Sequence, residues 1–187
     1  GVVSPAAAAV LSKALEGYDA LLIGPGLGRE KETSDFLHRL LGGEEAQRSM
    51  GFLRSETAAS ARSELPPLVI DADGLNILSE WENWSERLPG GTVLTPHPGE
   101  MARLMGSSVG EVQQDRVAVA RSQAGRWGHV VVLKGAHTVV ADPDGRTVLG
   151  PFANAGLATA GTGDVLAGTI VALRAQGVGA FAAAAAG

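Results

Sequence analysis

The chain contains no cysteine, which excludes disulfides and thiolate metal sites and agrees with a reducing, cytoplasmic setting. Aromatic residues are scarce, at 4%, so the core must be built mainly from aliphatic side chains. A basic excess is also lacking. The formal net charge is −5, whereas a nucleic-acid partner usually needs a positive face. No apolar run approaches the ~20 residues of a membrane-spanning helix, and "GVVSPAAAAV" has no basic segment of the kind that opens a signal peptide. What is present is 187 residues, 45% hydrophobic and 19% charged, enough for one domain with a sizeable core. Small-molecule phosphates remain compatible with the negative charge, because backbone N–H groups bind them without a basic surface.

Glycine is plentiful, at 26 residues, and it punctuates the chain. Ser4-Pro5 ahead of an alanine run predicts an N-capped helix to Glu16. "YDALLIGPGLG" (18–28) reads as a buried strand running into a glycine turn. "EKETSDFLHRLL" (30–41) then places Phe36, Leu37, Leu40 and Leu41 on one helical face. Residues 42–64 are polar with weak periodicity, a surface excursion or a helix extension. "PLVIDADGLNIL" (67–78) predicts a second buried strand ending in acids and Gly74. "GTVLTPHPGEMARLMG" (91–106) predicts strand, turn and helix, and "EVQQDRVAVARSQAGRWG" (111–128) a helix. "HVVVLKGAHTVVADPDGRTVLG" (129–150) predicts a strand, a turn and a hairpin around Pro143-Asp144-Gly145, with "DVLAGTIVALRAQG" as the last helix. Continuous apolar strands alternating with helices predict an α/β fold, a mostly parallel sheet with helices on both faces. Ligands of such sheets sit at the carboxyl ends of the strands, where all five glycine-rich or polar turns fall.

Each turn has a bland and a chemical reading. "GPGLG" (24–28) is not a dinucleotide fingerprint, because the third glycine would fall at Arg29. It is a tight turn or a place where backbone approaches a ligand. "DADGLN" (71–76) offers Asp71, Asp73 and Asn76 as turn caps or as magnesium-water contacts. In "TPHPGE" (95–100) two prolines restrain His97, which suits a substrate contact. His97 and Glu100 have too few partners for zinc, and Glu100 also fits as a first-turn acid favoured by the helix dipole. "LKGAHTVV" (133–140) puts Lys134 at a strand exit, as an exposed lysine or as part of a nucleotide cleft; no P-loop motif is present. "NAGLATAGTGDVLAG" (154–168) lines up backbone N–H groups at a helix start beside Asp164. There Asp164 is either a cap or a base that takes the proton of a hydroxyl attacking phosphorus.

In this order the five motifs resemble the ribokinase-like superfamily. Within it they are similar to the ADP-dependent NAD(P)H-hydrate dehydratases, the C-terminal half of bacterial bifunctional nicotinamide-nucleotide repair proteins. The resemblance implies a ribokinase-like three-layer sandwich forming a single domain over residues 1–187. That domain is expected to be incomplete at both ends, since the family's N-terminal segment has no counterpart before Gly1 and its last helix none after Gly187. The implied activity is a metabolite-repair lyase that dehydrates (6S)-hydrated NADH or NADPH while ADP becomes AMP and phosphate. By position Asp164 would be the base, and Gly161, Thr162 and Gly163 the anion hole. Lys134, Gly135, Ala136, His137, Thr138 and Gly163 would line the adenine-nucleotide site; Gly26, His97 and Asp164 would touch the hydrated nicotinamide nucleotide. ADP is the expected phosphoryl donor with Mg2+ as its companion, and no residue is assigned to a metal. Expected partners are these small molecules and further copies of the chain, with an epimerase domain fused in longer proteins. The alternatives are a ribokinase-like kinase of a thiazole, pyrimidine or pyridoxal-type alcohol, and a non-catalytic nucleotide-binding module.

Overall fold

The computed structural model describes residues 2–42 and 65–187, so the expectations for 43–64 lie outside the described residues. In chain order the elements begin with α1 (Ala7–Ala14), β1 (Leu21–Ile23), α2 (Lys31–Gly42), β2 (Leu68–Ile70) and α3 (Ala72–Leu78). They continue with β3 (Val93–Leu94), α4 (Pro98–Met105), α5 (Val109–Gln114), α6 (Arg116–Trp127) and β4 (Val130–Leu133). The chain then forms β5 (Val139–Ala141), β6 (Thr147–Leu149), α7 (Thr162–Ala175) and α8 (Ala180–Ala186). The strands lie in one sheet in sequence order, β1 to β6. β1 to β4 are parallel to one another, while β5 is antiparallel to both β4 and β6. β6 therefore runs in the same direction as β4, and its exit opens on the same edge of the sheet as the first four strands.

Side-chain alternation along the strands builds two cores. Leu68, Ile70, Leu94, Val131, Leu133, Val139 and Ala141 belong to a cluster with buried residues of α1 to α6. Val69, Val93, Val130, Val132 and Val140 face the other way, against Ala167 and Ile170 of α7 and Ala183 and Ala184 of α8. A sheet buried on both faces explains why its strands read as unbroken apolar runs. The result is the expected three-layer α/β sandwich. The expected apolar face of α2 is also found, with Phe36, Leu37, Leu40 and Leu41 all buried. Among the described residues no helix is long and apolar enough to cross a membrane.

Three local expectations are corrected. α1 starts at Ala7 and ends at Ala14, not from Ser4-Pro5 to Glu16, because Pro5-Ala6 form a tight turn. In that turn Ala7 N–H donates to the Ser4 carbonyl and Ser4 Oγ accepts from Ala6 N–H. The 67–78 strand is strand only over Leu68–Ile70; Asp71 is the extended N-cap of α3, whose Leu75, Ile77 and Leu78 are buried at helical spacing. The 111–128 helix breaks at Asp115, which ends α5 and caps α6 by accepting from Ala118 N–H at 2.8 Å.

The strand ends are pinned to one another. Asp71 N–H donates to Ile23 O, Thr95 N–H to Ile70 O and Lys134 N–H to Pro96 O, so the ladder continues past the strands into the turns. Gly24 is indispensable to that closure. A Cβ there would lie 1.7 Å from the Asp71 carbonyl oxygen, at a φ of +132° that other residues rarely adopt.

Candidate active site

Lys134, Asp71 and Glu100 come from the exits of three adjacent parallel strands and meet in one cluster. Lys134 Nζ donates to Asp71 Oδ1 at 2.5 Å and stands 3.8 Å from Glu100 Oε2. The lysine side chain is 17% exposed, the two carboxylates only 1% and 5%. Burying two acids around one cation is favourable only while that cation stays in place. Glu100 shows the strain of this arrangement, since burial pushes its carboxyl above the ordinary carboxylate range in spite of the bond from His97 N–H and the charge of Lys134.

Glu100 also closes a capping box at the start of α4. Its Oε2 accepts from His97 N–H at 2.8 Å, while His97 Nδ1 accepts from Gly99 N–H at 2.9 Å and Glu100 N–H at 3.3 Å. This occupies His97 Nδ1 and makes Nε2, 3.4 Å from Glu100 Oε1, the protonated nitrogen of the neutral ring. Half of the His97 side chain stays exposed, at 51%. Because its folded-state pKa exceeds the unfolded one, Glu100 lends its full stability below the ordinary carboxylate range and loses it as pH rises through the raised value. Glu100→Gln keeps an oxygen for His97 N–H and removes the ionisation. Urea unfolding of both proteins from about pH 4 to about pH 7 should show the variant gaining relative to the parent as pH rises. A pH-independent difference would contradict this.

The start of α7 stands over this cluster. A Cβ on Gly163 would be 3.5 Å from Lys134 Nζ and 3.8 Å from Asp71 Oδ2. Gly161, left-handed at φ 90°, is the N-cap and provides no side-chain bond. Thr162 N–H donates to Thr159 O, but the N–H groups of Gly163 and Asp164 have no protein acceptor among the described residues. Asp164 is exposed in the first turn of the helix, with no hydrogen-bond partner for its carboxylate among those residues. Two free donors and a helix dipole beside a half-buried lysine make a seat for an anion.

The remaining expected residues lie in the turns at the other strand exits. Gly135 to Thr138 form the turn from β4 to β5, closed by Thr138 Oγ1 donating to Gly135 O at 3.1 Å. His137, at a positive φ of 55°, donates its N–H to Phe152 O and so ties the turn to the segment leading to α7. Gly26 lies in the β1–α2 turn with open space where a side chain would be. That turn is held by Asp73, whose Oδ2 accepts from Gly28 N–H at 3.0 Å. Asn76 Oδ1 accepts from Arg103 instead of facing the cluster. Among the described residues no three His, Asp or Glu side chains are grouped to hold a metal. With Asp71 bonded to Lys134 and Asp73 to Gly28, the residues do not fit a resident ion.

A family profile described as NAD(P)H-hydrate dehydratase matches residues 2–187. The chain belongs to that family. It is 44% identical over its whole length to the bifunctional NAD(P)H-hydrate repair enzyme of Salinibacter ruber, covering 30% of that protein. Over 65% of the chain it is 52% identical to the ADP-dependent (S)-NAD(P)H-hydrate dehydratase of Neisseria meningitidis, covering 42% of it. The chain thus spans less than half the length of these curated relatives. Among solved structures it is similar to the ADP/ATP-dependent NAD(P)H-hydrate dehydratase of Bacillus subtilis, co-crystallized with ATP/Mg2+ and soaked with CoA. That match has a TM-score of 0.63 and 32% identity, covering 84% of this chain and 49% of that one. A ribokinase-like superfamily protein of Enterococcus faecalis matches with a TM-score of 0.70 and 27% identity over 98% of this chain and 58% of its own. The dehydratase motifs therefore sit on the ribokinase-like fold that they imply.

The sequence left two features of this site unread. The Asp71–Lys134 pair joins residues 63 positions apart, and the exits of β2 and β4 that carry them are separated by β3. Arg116 was missed entirely. Its only mark in the sequence is its place directly after the helix-breaking Asp115.

Proposed function

We propose that this chain carries the ADP-dependent dehydration of (S)-hydrated NADH or NADPH, releasing the restored dinucleotide, AMP and phosphate. The observation that carries the reading is the pair of free N–H groups at Gly163 and Asp164 beside the Lys134 cluster. In this reading the hydroxyl of the hydrate attacks the β-phosphorus of ADP, and Asp164 takes its proton as the new P–O bond forms. The bond to the AMP oxygen breaks, and the two N–H groups stabilise the charge on the transferring phosphoryl. The ring nitrogen then pushes out phosphate, the neighbouring carbon loses a proton, and the double bond is restored. The turn from Lys134 to Thr138 holds the nucleotide, while Gly26 and His97 border the nicotinamide side. An accompanying Mg2+ would be carried by the nucleotide's own phosphates and by water. A cytoplasmic location and assembly of several copies belong to the same reading.

Incubating the protein with hydrated NADH and ADP tests it. NADH recovered by absorbance and AMP measured by chromatography should rise one for one. Loss of hydrate without AMP, or phosphorylation of a pyridoxal-type alcohol in its place, would overturn the reading.

A further inference from the structure

Arg116 opens α6, the helix that precedes β4 in the chain, and its guanidinium reaches the β4 exit. Nη2 donates to Leu133 O at 2.9 Å and to Lys134 O at 3.2 Å, while Nη1 donates to Gln113 Oε1 at 3.3 Å. A Cβ on Gly135 would lie 2.5 Å from Nη1, so the guanidinium packs directly on the glycine, whose φ is +143°. With the carbonyls of 133 and 134 drawn toward Arg116, the N–H groups of Gly135 and Ala136 have no acceptor among the described residues. A groove of about 320 Å3 opens there between Gln113, Gln114, Asp115, Arg116, Ala136 and His137.

We propose that Arg116 is a positioning residue for the adenine nucleotide, holding the Gly135–Ala136 turn with its N–H donors presented to the ligand. The inference rests on the ADP-dependent reading above. Arg116 acts through the backbone and touches no reacting atom. Its planar fork serves two successive carbonyls at once, which an ammonium can match only in part. The carbonyl bonds also anchor Lys134, so the residue couples the nucleotide turn to the buried ion cluster.

The test uses Arg116→Met and Arg116→Lys together with calorimetric binding of AMP and steady-state kinetics. Arg116→Met should weaken AMP binding and raise KM for ADP about tenfold, the size of one hydrogen bond to a charged group. The KM for the hydrated dinucleotide and kcat should stay within about twofold, well below that tenfold step. Arg116→Lys, which keeps the charge and one bond, should fall between parent and Arg116→Met and covers the case in which the methionine variant does not fold. Unchanged AMP binding in both variants would overturn the inference while leaving the ADP-dependent reading intact, and so would equal losses in both KM values and kcat. If the parent itself bound no adenine nucleotide, the reading and the inference would both fall.

Discussion

Asp164→Asn should lower kcat by about 10²-fold or more, the scale expected when a general base is removed. The carboxylate is exposed in the first turn of α7 and no described residue engages it, so an amide of the same size leaves the fold undisturbed. Its charge interacts with the helix N-terminus, which contributes about 0.3–1 kcal/mol at most surface sites. Stability should therefore change little, and KM for ADP should remain near that of the parent. A pure loss of kcat is the signature of a group acting only in the transition state. If Asp164→Asn turned over like the parent at saturating substrates, Asp164 would be no more than a charge at a helix start.

Lys134→Met should have the largest effect on stability. The Asp71 carboxylate, 1% exposed, has no bond partner other than Lys134 among the described residues, and Glu100 at 5% exposure shares the same cation. Removing the ammonium strands a buried carboxylate, which typically costs about 3–5 kcal/mol. Adding Asp71→Asn should recover much of that loss, because the double variant contains no uncompensated charge at Asp71. Denaturant unfolding of the two single variants and the double variant gives the coupling directly. Strictly additive losses would mean that the contact at 2.5 Å contributes nothing.

Much of the architecture is legible in the chain because it depends on local pattern. Val130–Leu133 reads as a buried strand and is one, and the Phe36, Leu37, Leu40, Leu41 spacing reads as a helix packed on one face and is one. The five turns were recognisable from their own residues, and the direction of β6 explains why the last of them joins the other four. Legibility fails where a partner is remote in sequence. "LVIDADGLN" continues an apolar strand into a helix with just one extended residue between, so its boundary is set by the Asp71 N–H bond to Ile23 O. The restraint on His97 between two prolines was visible, but its role as the cap of α4 depends on Glu100 folding back at close range. Arg116 and Leu133 meet 17 positions apart only because α6 returns the chain along β4.

The site as a whole rests on one physical claim: the start of α7, the Lys134 cluster and the 134–138 turn form a single phosphate and nucleotide seat. A crystal of the protein soaked with ADP examines it most directly. The account predicts the β-phosphate against the N–H groups of Gly163 and Asp164, near Lys134 Nζ, with the nucleotide running along Gly135 to Thr138. A phosphate bound elsewhere, with those two N–H groups facing only water, would contradict it.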